Sequence, residues 1–239
     1  MENSTVQKQK VAEVVSVAAH QLKNPLSVIK GYLEILVSGD FGRINKKQKE
    51  YLDDALENVG RMRKIINSLL DVAKIEENKY EMKKQPFKLE DIIESVVNDF
   101  SYWVKAYNCK IIFEKPDNTP EAFGDNLKIR QVIENLISNA LKYKTSGEGK
   151  IEIGISQNEK EIIVSFKDNG IGIKEEDMDK MFSKFYRSEE AMEKDPEGNG
   201  LGLYIDKAII ELNGGKLWFK NNEDSGVTFF FTIPINAKN

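Results

Sequence analysis

The amino-acid sequence predicts an α+β fold in two parts, an antiparallel helical hairpin followed by an α/β sandwich. Three observations carry the prediction. Apolar residues recur at alternating steps of three and four from about residue 8 to residue 78, the spacing of amphipathic helices. Pro86, after Lys83-Lys84-Gln85, ends that pattern, because proline disfavours helix at the residue before it. Beyond it, short β-rich runs alternate with helical ones, as they do where a sheet and helices pack in layers.

In the first helix Val11, Val15, Ala18, Leu22, Ile29, Tyr32 and Leu36 form the expected seam, interrupted at Pro25. The second helix keeps an unbroken heptad seam of Leu52, Ala55, Val59, Met62, Ile66, Leu69 and Ala73. Ser38-Gly39-Asp40-Phe41-Gly42-Arg43 reads as the turn between them, and Asn45 with Gln48 three residues on reads as an N-cap pair. A lone hairpin does not cover a seam on both helices, whereas two copies packed as a four-helix bundle do, so a homodimer is expected. The alternative is a monomer whose hairpin packs on its own C-terminal part. The boundary falls after residue 82, giving a hairpin of residues 1–82 and a second domain of residues 83–239. There, strands are predicted over 110–114, 150–156, 162–167, 216–220 and 227–234, and helices over 89–107, 126–143 and 201–212.

Composition narrows the function classes. The chain has 239 residues, 35 basic and 39 acidic ones, and a net charge of -4, with no basic block to track a nucleic-acid backbone. Its single cysteine, Cys109, allows neither an internal disulfide nor a multi-thiolate metal site and fits a reducing compartment. No run of about 18 apolar residues occurs, so the chain as given is expected to be soluble and cytoplasmic, meeting a membrane only through a sensor region outside it.

The single histidine, His20, stands in Ala18-Ala19-His20-Gln21-Leu22-Lys23-Asn24-Pro25. At about 100° per residue it lies about 200° from Ala18 and from Leu22, and so faces solvent. A lone surface histidine is ordinarily just solvated. A neutral imidazole nitrogen is nevertheless a competent nucleophile toward a phosphoryl group. Asn24, four residues on, shares its face and is placed to orient a water or a phosphoryl group, and Pro25 is expected to bend the helix just beyond.

Three elements of the second domain converge on a nucleotide. Asn135, Asn139, Lys142 and Tyr143 share one stripe of a predicted helix: amide oxygens suit Mg²⁺, a lysine neutralises phosphate, and a tyrosine ring fits beside a base. Asp168-Asn169-Gly170-Ile171-Gly172-Ile173 directly follows a strand, where a carboxylate is able to accept from an adenine amino group and glycines let the backbone approach. Gly198-Asn199-Gly200-Leu201-Gly202-Leu203 opens a helix, whose free N–H groups suit phosphate. Singly, each also reads as a solvated face or a glycine turn. Between the last two, residues 174–197 are charged, irregular and aromatic at Phe182, Phe185 and Tyr186, as in a mobile lid; Arg187 there either reaches a phosphate or forms a surface ion pair.

In this order the motifs resemble those of sensor histidine kinases, which join a dimerisation and histidine phosphotransfer hairpin to an ATPase domain of the gyrase, chaperone and mismatch-repair type. Residues 20–25 look like that family's H box, 135–143 its N box, 168–172 its first glycine box, 182–187 its F box and 198–202 its second glycine box. The resemblance implies ATP and Mg²⁺ as cofactors, His20 as phosphoacceptor, Asn139 as the Mg²⁺ ligand supported by Asn135, and Asp168 as the adenine reader. It further implies nucleotide contacts from Lys142, Tyr143, Gly170, Gly172, Ile173, Arg187, Gly198, Gly200, Leu201 and Gly202, and a response-regulator receiver domain as partner.

One position departs. The family usually carries Glu or Asp after the histidine, where this chain has Gln21, and an amide is no general base. Asn24 fits the position that aligns water for dephosphorylating the regulator, so a phosphatase-dominant or weakened kinase stays open as an alternative. A hydrolytic ATPase of the same superfold would need a glutamate four residues before the Mg²⁺ asparagine, where Asn135 stands; Glu134 is turned away by about 100°. A non-catalytic ATP-binding docking module is the remaining alternative.

Overall fold

The computed structural model describes residues 2–116 and 118–236, with side chains from residue 17 onward. The chain divides into two compact units, residues 1–80 and 81–239.

The first unit is a hairpin of α1 (Glu2–Ser38) and α2 (Lys46–Glu76). The expected cap is present as a reciprocal capping box: Gln48 N donates to Asn45 Oδ1 at 2.9 Å, and Asn45 N donates to Gln48 Oε1 at 2.8 Å. Two backbone donors that the first helical turn leaves without partners are thereby satisfied. Pro25 lies inside α1, which continues through it.

The seam of α1 differs from the expected one. Ala19 and Leu26 are buried, with Leu33 packed beside them, against Val59, Ile66 and Leu70 of α2. Ala18, Leu22, Ile29, Tyr32 and Leu36 are exposed instead, Leu22 at 53% and Ile29 at 48%; Val11 and Val15 fall outside the described side chains. Both Ala19/Leu26/Leu33 and Leu22/Ile29/Leu36 repeat every seven residues, and their three-residue offset separates them by about 60° on the helix. Periodicity identifies two such stripes without ranking them. In α2, Val59, Ile66 and Ala73 are buried as expected, and Met62 is exposed.

The second unit is one mixed sheet with helices against one face. The sheet runs β2 (Cys109–Phe113), β4 (Gly149–Gln157), β5 (Glu161–Asp168), β7 (Val227–Pro234), β6 (Leu217–Asn221). Only the β2–β4 pair is parallel. A small antiparallel pair, β1 (Gln85–Phe87) and β3 (Ala122–Gly124), was not expected from the sequence. Three-residue strands are too short to show alternation. Alternating Ile162, Val164 and Phe166 of β5 and Phe229, Phe231 and Ile233 of β7 turn inward, where Phe166 and Phe231 stack at 6.0 Å. They meet Ile129, Val132, Ile133, Leu136 and Ile137 of α5 (Asn126–Lys142) and Ile205, Ile209 and Ile210 of α7 (Gly202–Leu212), all buried.

The helix expected over 89–107 is two, α3 (Leu89–Asp99) and α4 (Ser101–Ala106). Asn98, Asp99 and Ser101 at the break are weak helix formers, and Arg130 of α5 draws the Asp99 carboxylate into an ion pair. Asp125 caps α5 by accepting from Lys128 N at 3.1 Å, while its other oxygen accepts from Lys83 N at 2.8 Å. The segment 174–197 is more ordered than expected, containing a 3₁₀ turn (Glu175–Lys180) and α6 (Glu189–Lys194), which Ser188 caps. Six-residue helices span less than two turns, too few for a periodic signal.

Candidate functional site

On α1, His20 is exposed, and so are Gln21 and Asn24. Four residues advance about 400°, so Asn24 shares the His20 face, while buried Ala19 lies about 100° away. The imidazole is accessible, as expected, although Leu22, the residue used to orient it, is exposed as well.

In the second unit, α5, the end of β5, the segment 174–197 and the start of α7 line a partly open cavity of about 180 Å³. It gathers Asn135, Asn139, Lys142, Tyr143, Asp168, Gly172, Arg187, Gly198, Gly200 and Gly202, which sequence reasoning had singled out from four separate segments. The other three candidates, Gly170, Ile173 and Leu201, are not in its wall. Gly170 N instead donates to Asp168 Oδ1 at 2.8 Å, Ile173 is clamped through its backbone to the Asn221 amide, and Leu201 is fully buried as the cap of α7.

Asp168 closes β5 at the floor of the cavity. Its Oδ1 accepts from Gly170 N and, at 3.3 Å, from Val227 N, while Asn222 Nδ2 donates to its backbone carbonyl at 2.7 Å. Burial pushes its carboxyl above the ordinary value, outweighing the two N–H bonds that pull it down. With Oδ1 held by backbone, Oδ2 is the oxygen left for a ligand, in a fixed orientation.

Both cations of the site are engaged by the lid. Lys142 Nζ pairs with Asp195 Oδ2 at 2.8 Å. Arg187 donates to the carbonyls of Ala191 at 2.7 Å and Gly198 at 2.8 Å, and also to that of Asp195. Lys194 Nζ, at the C-terminal end of α6, reaches Lys144 O outside the segment at 3.0 Å, while Lys174 and Glu190 pair within it. Tyr186 donates to Asp177, whose carboxylate pushes the phenol up to about 12.

Where the segment meets the glycine run before α7, Phe185 has φ +62 and Gly200 φ +66, and Phe185 N donates to Gly200 O at 2.9 Å. A Cβ on Gly200 would lie 2.6 Å from the Phe185 carbonyl carbon, so glycine is required there for both conformation and space. No side chain caps α7, and Gly202 and Leu203 of its first turn line the cavity, which puts the positive end of its dipole at the wall.

Sequence reasoning missed several wall residues, notably Asp195, Leu203 and Phe229, and one residue behind the wall, Asp206. Asp206 is 1% exposed, and its Oδ2 accepts from Asn135 Nδ2 at 2.6 Å. Burial drives its carboxyl well above the ordinary value, against the pull of the Asn135 hydrogen bond. The signal was available: an acid among Ile205, Ile209 and Ile210 breaks the apolar face of α7.

Comparison with known proteins assigns the two units. The family model "His Kinase A (phospho-acceptor) domain" matches residues 10–78, and "Histidine kinase-, DNA gyrase B-, and HSP90-like ATPase" matches residues 124–237. The sensor histidine kinase WalK of Bacillus subtilis is 32% identical over 96% of this chain, which spans 38% of that protein's length. Among solved structures, the catalytic domain of the histidine kinase ThkA is 33% identical with a TM-score of 0.56, covering 64% of this chain and 99% of its own. Full-length ShkA, solved with AMPPNP, shares the fold at 20% identity and a TM-score of 0.77, over 93% of this chain and 46% of its own. Two family models in the family's own order, joined to a relative matched along nearly its whole catalytic domain, make this chain a member of the sensor histidine kinases of two-component signalling.

Proposed function

We propose that this chain phosphorylates itself on His20 from ATP and passes the phosphoryl group to an aspartate of a response-regulator receiver domain. On this reading residues 1–82 are the dimerisation and phosphotransfer hairpin, residues 83–239 are the catalytic domain, and the protein works in the cytoplasm. The observation that carries it is the single cavity uniting Asn135, Asn139, Lys142, Asp168, Arg187 and the glycines before α7. Asp168 Oδ2 accepts from the adenine amino group, and the α7 N–H groups hold phosphate oxygens. Lys142 supplies positive charge once released from Asp195, and Arg187 once released from the carbonyls it now holds.

Asn139, with Asn135 beside it, would hold Mg²⁺, because amide oxygens are hard ligands of the kind that ion takes. When bound, the ion neutralises charge on the transferring phosphoryl group. A His20 ring nitrogen attacks the γ-phosphorus, the bond to the ADP oxygen breaks, and the imidazole proton departs to water, since the Gln21 amide does not take it. The exposed stripe Leu22, Ile29 and Leu36 supports a homodimer: a second copy covers what α2 leaves open.

Incubation with γ-labelled ATP and Mg²⁺ tests the proposal. Acid-labile label is expected on the wild type and none on His20→Ala. Label that survives in His20→Ala, or hydrolysis without labelling, refutes it.

A further inference from the structure

Asp206 belongs to none of the motifs above, yet among the described residues it is the most deeply buried acid of the ATPase unit, and it touches a residue of the cavity wall. Its neighbours on α7, Ile205, Ile209 and Ile210, are apolar and buried, so the carboxyl is set in a layer that favours a hydrocarbon side chain. The partner it has there is the Asn135 amide, through Nδ2 at 2.6 Å. One turn earlier, at Gly202, an added Cβ would stand 2.7 Å from Asn135 Nδ2 and 3.0 Å from Oδ1. The amide is therefore seated on the first turn of α7, over a position that has no side chain and against one that offers an acceptor.

We infer that Asp206 is a positioning residue that holds the Asn135 amide with its nitrogen turned into the α5–α7 interface, so that Oδ1 is the atom Asn135 presents to the cavity. The inference rests on the proposed nucleotide site and deepens it. An asparagine amide has one acceptor end and one donor end, and a half-turn about its last torsion exchanges them. With Oδ1 toward the cavity, Asn135 meets a cation or a cation-bound water; with Nδ2 there, it meets a phosphate oxygen instead. Asp206 selects the first arrangement, because accepting from Nδ2 fixes which end faces inward. The selection is made by the ionised carboxylate, which only accepts; a protonated carboxyl is also able to donate, to Oδ1. Asp206 acts on the cation-facing side of the site and not on the base-facing side, where Asp168 is held by separate backbone bonds.

The test uses the full chain with Asp206→Leu, which removes the acceptor while keeping the branched shape, and Asp206→Asn, which keeps an acceptor oxygen. Folding is checked by thermal melting, and adenosine, ADP and ATP binding are measured with and without added Mg²⁺. Asp206→Leu is expected to raise the half-saturating Mg²⁺ concentration and lower the autophosphorylation kcat, each by roughly 10- to 100-fold, the usual cost of losing an outer hydrogen-bond partner. Adenosine affinity should stay unchanged, and Asp206→Asn should lose clearly less than Asp206→Leu in every measurement. If Asp206→Leu does not fold, Asp206→Ser, whose hydroxyl is too short to reach, must show the same Mg²⁺ and kcat losses. A folded Asp206→Leu or Asp206→Ser with wild-type Mg²⁺ dependence overturns the inference while leaving the proposed function standing. So does an Asp206→Asn that falls as far as Asp206→Leu. A wild type that binds no ATP overturns both.

Discussion

Replacing Asp195 with asparagine is expected to tighten the binding of ATP. In the structure the Asp195 carboxylate sits 2.8 Å from Lys142 Nζ, where a phosphate oxygen would otherwise lie, so phosphate binding has to displace one anion with another. The pair is neither buried nor free: the Lys142 side chain is 40% exposed and that of Asp195 17%. Ion pairs of that kind are worth about 0.5–1 kcal/mol. Releasing Lys142 should therefore raise affinity about two- to fivefold. The Arg187 contact to this residue uses its backbone carbonyl and survives the substitution. Equilibrium titration with ATP, ADP and adenosine reads the effect directly. The gain should appear for both phosphorylated ligands and vanish for adenosine, and it should shrink at high salt, where the wild-type pair is already screened. Equal ATP affinity in the two proteins, or a gain for adenosine, refutes the displacement argument.

Other measurements bear on the same sites. Adenine nucleotide affinity should fall on acidification, with a midpoint above the ordinary aspartate range: burial raises the Asp168 carboxyl, and as pH drops through that raised value the proton removes the acceptor from Oδ2. An Asp168→Asn protein, already weakened, should show no such midpoint in a binding titration across pH. Gln21→Glu supplies a carboxylate beside His20 and should speed labelling of His20 up to about 10²-fold in a phosphorylation time course; an unchanged rate would remove Gln21 from the account of the reaction. Gly200→Ala should cost about 1–3 kcal/mol by denaturant melting, since alanine meets both the positive φ and the Phe185 backbone there.

The sequence was legible where chemistry and local geometry coincide. The Asn45–Gln48 cap pair, the α5 stripe and the glycine turns depend on residues within a few positions of one another, and each appears where expected. The α1 seam was not legible, because two heptad stripes coexist and only the partner helix decides between them. Gly170, Ile173 and Leu201 sit beside the cavity wall instead of in it, since a motif identifies a loop without saying which of its residues turn inward. The break that Asp206 makes in the apolar face of α7 was visible, but the contacts of Asp195 and Asp206 escaped for a different reason. Their partners, Lys142 and Asn135, are 53 and 71 residues away, and no short-range pattern encodes that separation.

The Lys142–Asp195 contact also has a kinetic side. Phosphate reaches Lys142 only as Asp195 lets go of it, so association proceeds in two steps. Mixed rapidly with increasing ligand, the chain should show an observed rate that first climbs and then levels off at the frequency of that release.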